Sequence, residues 1–153
     1  KVGFAEVQVA ECHASIHCLQ CVATCRQTLW CADEVRVEVD EARCRLLSRL
    51  PACPRCAGTA RPNILMFGDA SWIETRTEQQ MTRLGNWLPS VRKLIVVELG
   101  AGRAIPTVRR FSERYGTRVV RINPREFAID PSRGVGIAGN ALDMLRMLDE
   151  MLD

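Results

Sequence analysis

The sequence lacks several features that would place it in a class at once. No apolar run approaches the roughly 20 residues that span a bilayer, and the N-terminus shows no charged, apolar and small-residue succession typical of a signal peptide. Repeats and low-complexity tracts are absent. The formal charge is only +3, with basic residues scattered among acids, so composition predicts neither a nucleic-acid nor a membrane partner.

The remaining composition is that of a globular chain. Of 153 residues, 47% are apolar and 25% are charged, which is enough to build a hydrophobic core. The first residue is Lys1 rather than Met, so we expect a processed chain or a fragment.

All eight cysteines lie in the first 56 residues. Such clustering, without a secretion signal, favours a metal site in a reducing compartment over a disulfide framework, and we therefore expect a cytoplasmic protein. Cys53 and Cys56 form one C-x₂-C pair, whereas Cys21 could pair with either Cys18 or Cys25. Four thiolates leave no open coordination position, so the predicted zinc is structural. Three cysteines are expected not to bind metal: Cys12, Cys31 and Cys44.

The first half of the chain gives weak secondary-structure signals. Residues 1–17 contain Val2, Phe4, Val7 and Val9 and could hold a strand. Alternation over residues 35–40 predicts a half-exposed strand, and a short helix is expected before Pro51.

From Pro62 onward the pattern becomes that of an α/β protein. The apolar run Ile64–Phe67, ended by Gly68, predicts a buried strand. Ser71 and Glu74 have the spacing of a capping box, which predicts a helix running to about Leu88 and ended by Pro89. Its apolar side would carry Ile73, Met81, Leu84 and Leu88.

A βαβ unit is the clearest prediction. Residues 94–97 read as a strand buried on both faces, and a helix with Pro106 in its first turn and Gly116 as its stop leads to a second strand, residues 119–122. After a loop with Pro131, Gly134 and Gly136, a last helix should start near Asn140. This helix is expected to bury Leu142, Leu145, Leu148 and Leu152. Strands alternating with helices predict an open parallel sheet.

A weak nucleotide signal lies in the same unit. Gly100 and Gly102 form a Gly-x-Gly turn between a strand and a helix, where backbone amides can approach a phosphate or ribose. Asn123 ends the next strand, where an open α/β sheet commonly holds a ribose. The alternative is a plain strand–turn–helix joint in which Asn123 only forms the turn.

Taken in order, five segments resemble the sirtuin family of NAD-dependent protein deacylases. Residues 11–14 (Glu-Cys-His-Ala) resemble its Glu-x-His-Gly segment, and residues 60–69 resemble its Arg-Pro-x-Val-Val-x-Phe-Gly-Glu stretch. Residues 100–102 stand where the family often has Gly-Thr-Ser, residues 122–124 match its Asn-containing strand end, and residues 136–142 resemble its closing loop and helix.

The resemblance implies an α/β fold: a partial Rossmann-like open parallel sheet with a small zinc-binding module inserted. Residues 1–17 would lead to the catalytic segment, 18–60 would form the zinc module, and 61–153 would be the C-terminal half of the NAD-binding domain. The implied reaction removes an acyl group from lysine in a protein or peptide while consuming NAD, giving nicotinamide and O-acyl-ADP-ribose. Alternatives are a non-catalytic zinc-binding interaction module and an NAD-dependent protein ADP-ribosyltransferase.

The resemblance also implies residue roles. His13 would be the general base, and His17 has no matching role. The extended substrate peptide would add to Ile64, Leu65, Met66, Phe67 and Gly68. The adenosine half of NAD would contact Gly100, Ala101, Gly102, Asn123 and Ala138. The zinc ligands would be Cys21, Cys25, Cys53 and Cys56.

The sequence departs from the family pattern in several places. The N-terminal Gly-Ala-Gly-x-Ser loop and the Gln-Asn-Ile-Asp segment of the family are absent, and Ala14 replaces a glycine. Ala101 and Gly102 replace Thr and Ser, and Asp69 replaces Glu. We therefore expect this chain alone to bind NAD weakly and to turn over little, with a sheet edge and an apolar face left uncovered.

Overall fold

Across residues 3–152, which the computed structural model describes, the chain forms eight strands and three α-helices. In chain order they are β1 Ala14–Cys21, β2 Trp30–Cys31, β3 Val39–Asp40, β4 Arg45–Leu46, β5 Ala60–Ile64, α1 Thr75–Trp87, β6 Ile95–Leu99, α2 Thr107–Tyr115, β7 Arg118–Ile122, β8 Gly134–Ile137 and α3 Ala141–Glu150. They fall into two compact units, Lys1–Asn86 and Trp87–Asp153. No described helix is long and apolar enough to cross a membrane.

The first unit is built on an antiparallel sheet of order β2-β1-β5. Strand β1 is the central one, pairing Cys18 with Cys31 of β2 and Ala14 with Ile64 of β5. The expected strand within residues 1–17 is displaced along the chain, because Glu6–Gln8 form a 3-10 turn and pairing begins only at Ala14. Val2 lies outside the described residues.

Strands β3 and β4 make a separate two-stranded hairpin. The strand predicted over residues 35–40 is wrong except at its end, since pairing starts at Val39. The helix predicted before Pro51 is also wrong. Asp40 instead accepts a hydrogen bond from the Arg43 amide at 3.1 Å, and Cys44 has a φ of 50°, which turns the chain into β4.

Polar side chains form much of the interior of the first unit. The amide of Asn63 in β5 donates to the side chain of Gln20 in β1 at 2.7 Å and to the carbonyl of Ile73 at 3.0 Å. Gln20 accepts from the Ile73 amide at 3.2 Å and donates to the Ser71 carbonyl at 2.8 Å. The segment before α1 is therefore pinned to the sheet by two side chains that are both fully buried.

This pinning moves the start of the first helix. Ser71 donates its hydroxyl to Asp69 at 3.0 Å instead of capping a helix, and α1 begins at Thr75, so the predicted capping box is wrong. The predicted end is close, since α1 stops at Trp87 and Pro89 follows in a 3-10 turn. On the apolar side of this segment Ile73 is buried, and three residues are half-buried: Met81, Leu84 and Leu88.

The second unit confirms the predicted α/β architecture. Its sheet has the order β6-β7-β8 with both pairs parallel, and α2 connects β6 to β7. Gly116 follows α2 as predicted, whereas Pro106, predicted in the first turn, is the N-cap residue immediately before the helix. A Cβ at Gly116 would lie 2.7 Å from the carbonyl oxygen of Ser112, so close packing requires the glycine.

Strand β8 was not predicted, because its glycines read as a loop. A Cβ built at Gly134 would collide with the Val119 carbonyl of β7, and one at Gly136 would collide with the carbonyl of Phe127. These glycines thus permit close approach of neighbouring backbone, a use that glycine also has inside strands.

Burial in the second unit differs from the prediction. Strand β6 is not buried on both faces, since Ile95 is 62% exposed and Val97 is also exposed, while Glu98 is buried. Helix α3 starts as expected, with Asn140 accepting from the Asp143 amide at 3.1 Å. Of the leucines it was expected to bury, Leu148 is half-buried, whereas Leu142, Leu145 and Leu152 are exposed.

Candidate functional site

Four cysteines of the first unit form a thiol cluster. The Sγ atoms of Cys21, Cys25, Cys53 and Cys56 all lie within 4.8 Å of one another. Cys21 and Cys56 are 3.7 Å apart, and Cys25 and Cys53 are 3.6 Å apart. Tetrahedral zinc with Zn–S bonds of about 2.3 Å requires S–S separations of about 3.8 Å, so the cluster fits zinc.

Backbone hydrogen bonds shape the two ligand turns. The Thr24 amide donates to the Cys21 carbonyl at 3.1 Å, and the Ala57 amide donates to the Cys53 carbonyl at 2.9 Å. The Arg55 amide also points at the Cys53 sulfur, 3.5 Å away. Each turn thus gathers two thiols from one short segment, as zinc knuckles do.

The turns are fixed to each other and to the sheet. Arg55 donates to the carbonyl of Cys25 in the opposite turn. The Val22 amide donates to the Thr59 carbonyl at 3.0 Å, just before β5 begins. The cluster is therefore built at the end of the β1–β5 pair.

The pKa values of the cluster thiols favour the binding of a cation. The backbone amide of Cys56 holds the pKa of Cys53 at about 6, against the effect of burial. The Cys25 amide likewise lowers the pKa of Cys21. Burial, followed by the neighbouring thiols, raises the pKa of Cys25 to about 12. Because metal ligands must be thiolates, a bound divalent ion would displace the remaining thiol protons.

The other cysteines stay outside the cluster. Cys18 is half-buried in β1 and is not part of the cluster, whereas Cys25 is. Cys12, Cys31 and Cys44 are exposed and are not part of it.

His13 lies in an exposed turn just before β1. The turn is closed by the Ala14 amide, which donates to the Glu11 carbonyl at 2.9 Å. Ala14 has a φ of 63°, the left-handed region that favours glycine. His17 lies in β1 itself, where its Nδ1 is 3.4 Å from Asp33.

Glu11 anchors the turn of His13 to α1. Its carboxylate accepts from Arg76, and its backbone amide donates to the Gln80 side chain at 2.9 Å. The hydroxyl of Thr77 donates to its carbonyl at 3.3 Å. Sequence reasoning quoted Glu11 only as part of a motif and missed this role, for which spacing gives no signal, since 65 residues separate it from Arg76.

The predicted substrate segment runs alongside this turn. Strand pairing ends at Ile64, and the Leu65 amide then donates to the His13 carbonyl at 3.2 Å. Met66 is exposed and Phe67 is 92% exposed, so the predicted strand is shifted, with its last three residues outside it. Gly68, with a φ of 68°, ends the segment.

Asp69 fixes the far end of the substrate segment. It forms an ion pair with Arg61 of β5 at 2.6 Å, and both side chains are largely shielded from solvent. Burial raises the pKa of Asp69, but hydrogen bonds from Arg61 and Ser71 outweigh it, so the pKa lies below its usual range. The exposed residues are thereby held between two anchored points.

In the second unit, the predicted nucleotide residues follow the carboxyl ends of three parallel strands. Gly100–Gly102 come after β6, Asn123 after β7 and Ala138 after β8. This is the edge at which open α/β sheets bind ligands. Gly100 has a φ of 65°, and its amide donates to the Ile122 carbonyl at 2.9 Å.

The side chain of Asn123 is turned to the protein rather than outward. Its amide donates to the Ala101 carbonyl at 3.2 Å, and its oxygen accepts from the amides of Arg125 and Glu126 at 2.9 and 2.8 Å. The buried Arg109 of α2 also donates to the Ala101 carbonyl, at 2.9 and 3.1 Å. Arg109 was not predicted from the sequence, and its hydrogen bonds fix the turn of residues 100–102.

Comparison with known proteins gives an informative match. No protein-family model matches the chain. The chain is 32% identical over 104 residues to NAD-dependent protein deacylase 2 of Pyrobaculum aerophilum, a match that covers 66% of this chain and 39% of that relative. It therefore spans well under half of the relative's length. The sequence match and the four-thiol cluster together support the resemblance of this chain to the sirtuin family.

Proposed function

We propose that the protein carrying this chain is an NAD-dependent protein-lysine deacylase. The observation that carries the proposal is the match to the Pyrobaculum relative, which is named as an NAD-dependent protein deacylase. It is supported by the turn of His13, which hydrogen bonds to the segment proposed to receive the substrate. The substrate would be an acylated lysine in a protein or peptide.

His13 is proposed as the general base. Its turn is exposed and is fixed on both sides, by Glu11 to α1 and by Leu65 to the end of β5. An accessible imidazole on a fixed backbone suits proton transfer near neutral pH. NAD, when bound, would supply the ribose hydroxyl that accepts the acyl group and would leave as nicotinamide and O-acyl-ADP-ribose.

The substrate peptide is proposed to add as a strand along residues 64–68. Past Ile64 the segment is no longer part of the β1–β5 ladder, and its side chains are exposed up to Gly68. Backbone hydrogen bonds in such an added strand are independent of side-chain identity. This mode suits an enzyme that reads a modified lysine in varied sequences.

The loops after β6, β7 and β8 are proposed to hold the adenosine half of NAD. Gly100, Ala101 and Gly102 offer a turn without bulky side chains, and Ala138 lies exposed on the loop after β8. Because Asn123 is engaged with Ala101, its first contribution is to fix the shape of that turn. The Rossmann-like character of the sheet remains part of this proposal.

The thiol cluster is proposed to hold one structural zinc ion. Four sulfur ligands fill a tetrahedral shell, so no position is left for a substrate or a catalytic water. The zinc would join residues 21–25 to residues 53–56 and thereby stabilise the module beside the β1–β5 pair.

The test is an assay of the full-length protein with an acetylated lysine peptide and NAD. We expect nicotinamide release that depends on the peptide, and loss of at least about 100-fold in His13→Ala, the scale of a lost general base. His17→Ala is the matched control, because His17 is also exposed and lies four residues further on. Peptide-independent labelling of protein with ADP-ribose would favour the transferase, and no NAD turnover at all would favour a non-catalytic module.

A further inference from the structure

Two cysteines outside the thiol cluster lie directly opposite each other. Cys18 of β1 and Cys31 of β2 are partners in the antiparallel register. The neighbouring pair is hydrogen bonded, because the Ala32 amide donates to the His17 carbonyl at 2.9 Å. Since hydrogen-bonded and non-hydrogen-bonded pairs alternate along an antiparallel ladder, Cys18 and Cys31 form a non-hydrogen-bonded pair.

Such a pair has the geometry that a disulfide requires. The Cα atoms of a non-hydrogen-bonded pair are about 4.5 Å apart, and disulfides span Cα separations of about 4.4–6.8 Å. Directly opposite side chains also project from the same face of the sheet. A bond between the two sulfurs therefore needs side-chain rotation and no change in strand register.

The pair is also accessible to a small oxidant. Cys31 is exposed and Cys18 is half-buried. Four of the remaining cysteines form the thiol cluster. Of the last two, Cys12 lies in the turn before β1 and Cys44 in the turn before β4, so neither has a cross-strand cysteine among the described residues.

We propose that Cys18 and Cys31 are a redox-modification site that forms a reversible cross-strand disulfide. The oxidant is a small-molecule disulfide of the glutathione class. One protein thiolate attacks it and releases one glutathione, and the second protein thiolate then displaces the other. Two protein thiols are oxidised, the small disulfide is reduced to two thiols, and the two protons pass to those thiols.

The position of the bond relates it to the metal centre. It would close residues 18–31 into a loop, and that loop contains the ligands Cys21 and Cys25. The modification is thus distinct from oxidation of the ligands themselves, which zinc opposes by holding their sulfurs. It does not depend on deacylase activity.

The experiment treats the zinc-loaded chain with oxidised glutathione and measures which cysteines can still be alkylated. Trypsin cleaves after Arg26 and Arg36, so Cys31 is isolated as the sole cysteine of peptide 27–36, while Cys18 falls in peptide 2–26. We expect alkylation of Cys31 to fall about tenfold, as for a pair oxidised at equilibrium. A cross-linked species of the two peptides, lighter by two hydrogens than their sum, should appear and should disappear on reduction.

Substitutions assign the partner. Cys18→Ser should abolish the cross-link, with Cys31 either alkylated or held as a mixed disulfide with glutathione, whereas Cys12→Ser and Cys44→Ser should keep the cross-link. Persistence of the cross-link in Cys18→Ser would overturn the pairing. Full alkylation of Cys31 in the wild-type chain after oxidation would overturn the proposal by itself, so the result does not depend on how any variant folds.

Discussion

Arg76 of α1 and Glu11, two residues before His13, form an ion pair that is largely shielded from solvent. The pair joins the helix to the turn, and the amide of Glu11 is held by Gln80 of the same helix. The position of the proposed base therefore depends on a helix that begins more than 60 residues later in the chain.

The ion pair predicts a specific response to acid. Burial raises the pKa of Glu11, but hydrogen bonds from Arg76 and Gln80 outweigh it, so the pKa is lowered on folding. A lowered carboxyl pKa stabilises the fold above the ordinary value of about 4.3, and this contribution is lost as pH falls through the folded-state pKa. Glu11→Gln should cost about 1 kcal/mol at neutral pH.

Thermal melts between neutral pH and about pH 3 measure this response. Glu11→Gln should show a weaker loss of melting temperature with acid than the wild type. Glu6→Gln is the control, since Glu6 also lies near Arg76, at 3.5 Å, but is mostly exposed. Equal acid profiles for Glu11→Gln and the wild type would show that the ion pair does not carry the effect.

Ala14→Gly should stabilise the protein. A φ of 63° places Ala14 in the left-handed region, which costs a residue with a Cβ about 1–2 kcal/mol. We expect the free energy of unfolding in denaturant to rise by about 1 kcal/mol. Ala60→Gly, in extended strand β5, is the control and should lower stability instead. A loss of stability in Ala14→Gly would contradict the strain.

Metal removal should destabilise the first unit. A strong chelator should lower the melting temperature of the purified chain, and elemental analysis should find one zinc per chain before treatment and none after. Cys53→Ser should behave like the chelated protein, because Cys53 is a member of the cluster. Cys44→Ser, an exposed thiol outside the cluster, should retain zinc. Zinc at full occupancy in Cys53→Ser would exclude the proposed ligand set.

Two glycines should respond to alanine in opposite directions. Gly134→Ala places a methyl group against the Val119 carbonyl and should destabilise the β7–β8 pair by about 3 kcal/mol or more. Gly85 lies in α1, and a Cβ added there would meet no atom within 4 Å. Gly85→Ala should therefore stabilise the protein by about 1 kcal/mol. Urea titrations followed by circular dichroism compare the two, and a tolerated Gly134→Ala would show that β8 is misplaced.

The sequence predicted the parts of the fold that depend on local pattern. The parallel βαβ unit was confirmed because apolar runs and helix-ending glycines are local signals. The two cysteine pairs predicted a cluster, but the choice of Cys25 over Cys18 came from the family resemblance and not from spacing.

The parts that failed depend on contacts between distant residues. The start of α1 is set by Gln20 and Asn63, which hold Ile73 from two strands. The buried pair of Glu98 and Arg121, 2.6 Å apart on neighbouring strands, was also missed. A signal existed there, since Glu98 is the single charge of β6, Arg121 lies between apolar residues of β7, and parallel register places the two opposite each other.

The arrangement of the thiol cluster also bears on how this region can vary in length. The Sγ atoms of Cys25 and Cys53 are 3.6 Å apart, so the chain between these two residues forms a loop whose ends meet at the thiol cluster. Its β3–β4 hairpin pairs only with itself. Residues inserted between Asp40 and Arg45 would lengthen the exposed turn of the β3–β4 hairpin. They would not shift the register of β1 and β5 or the spacing of the thiols. This turn is therefore the position at which an added peptide or reporter should be tolerated.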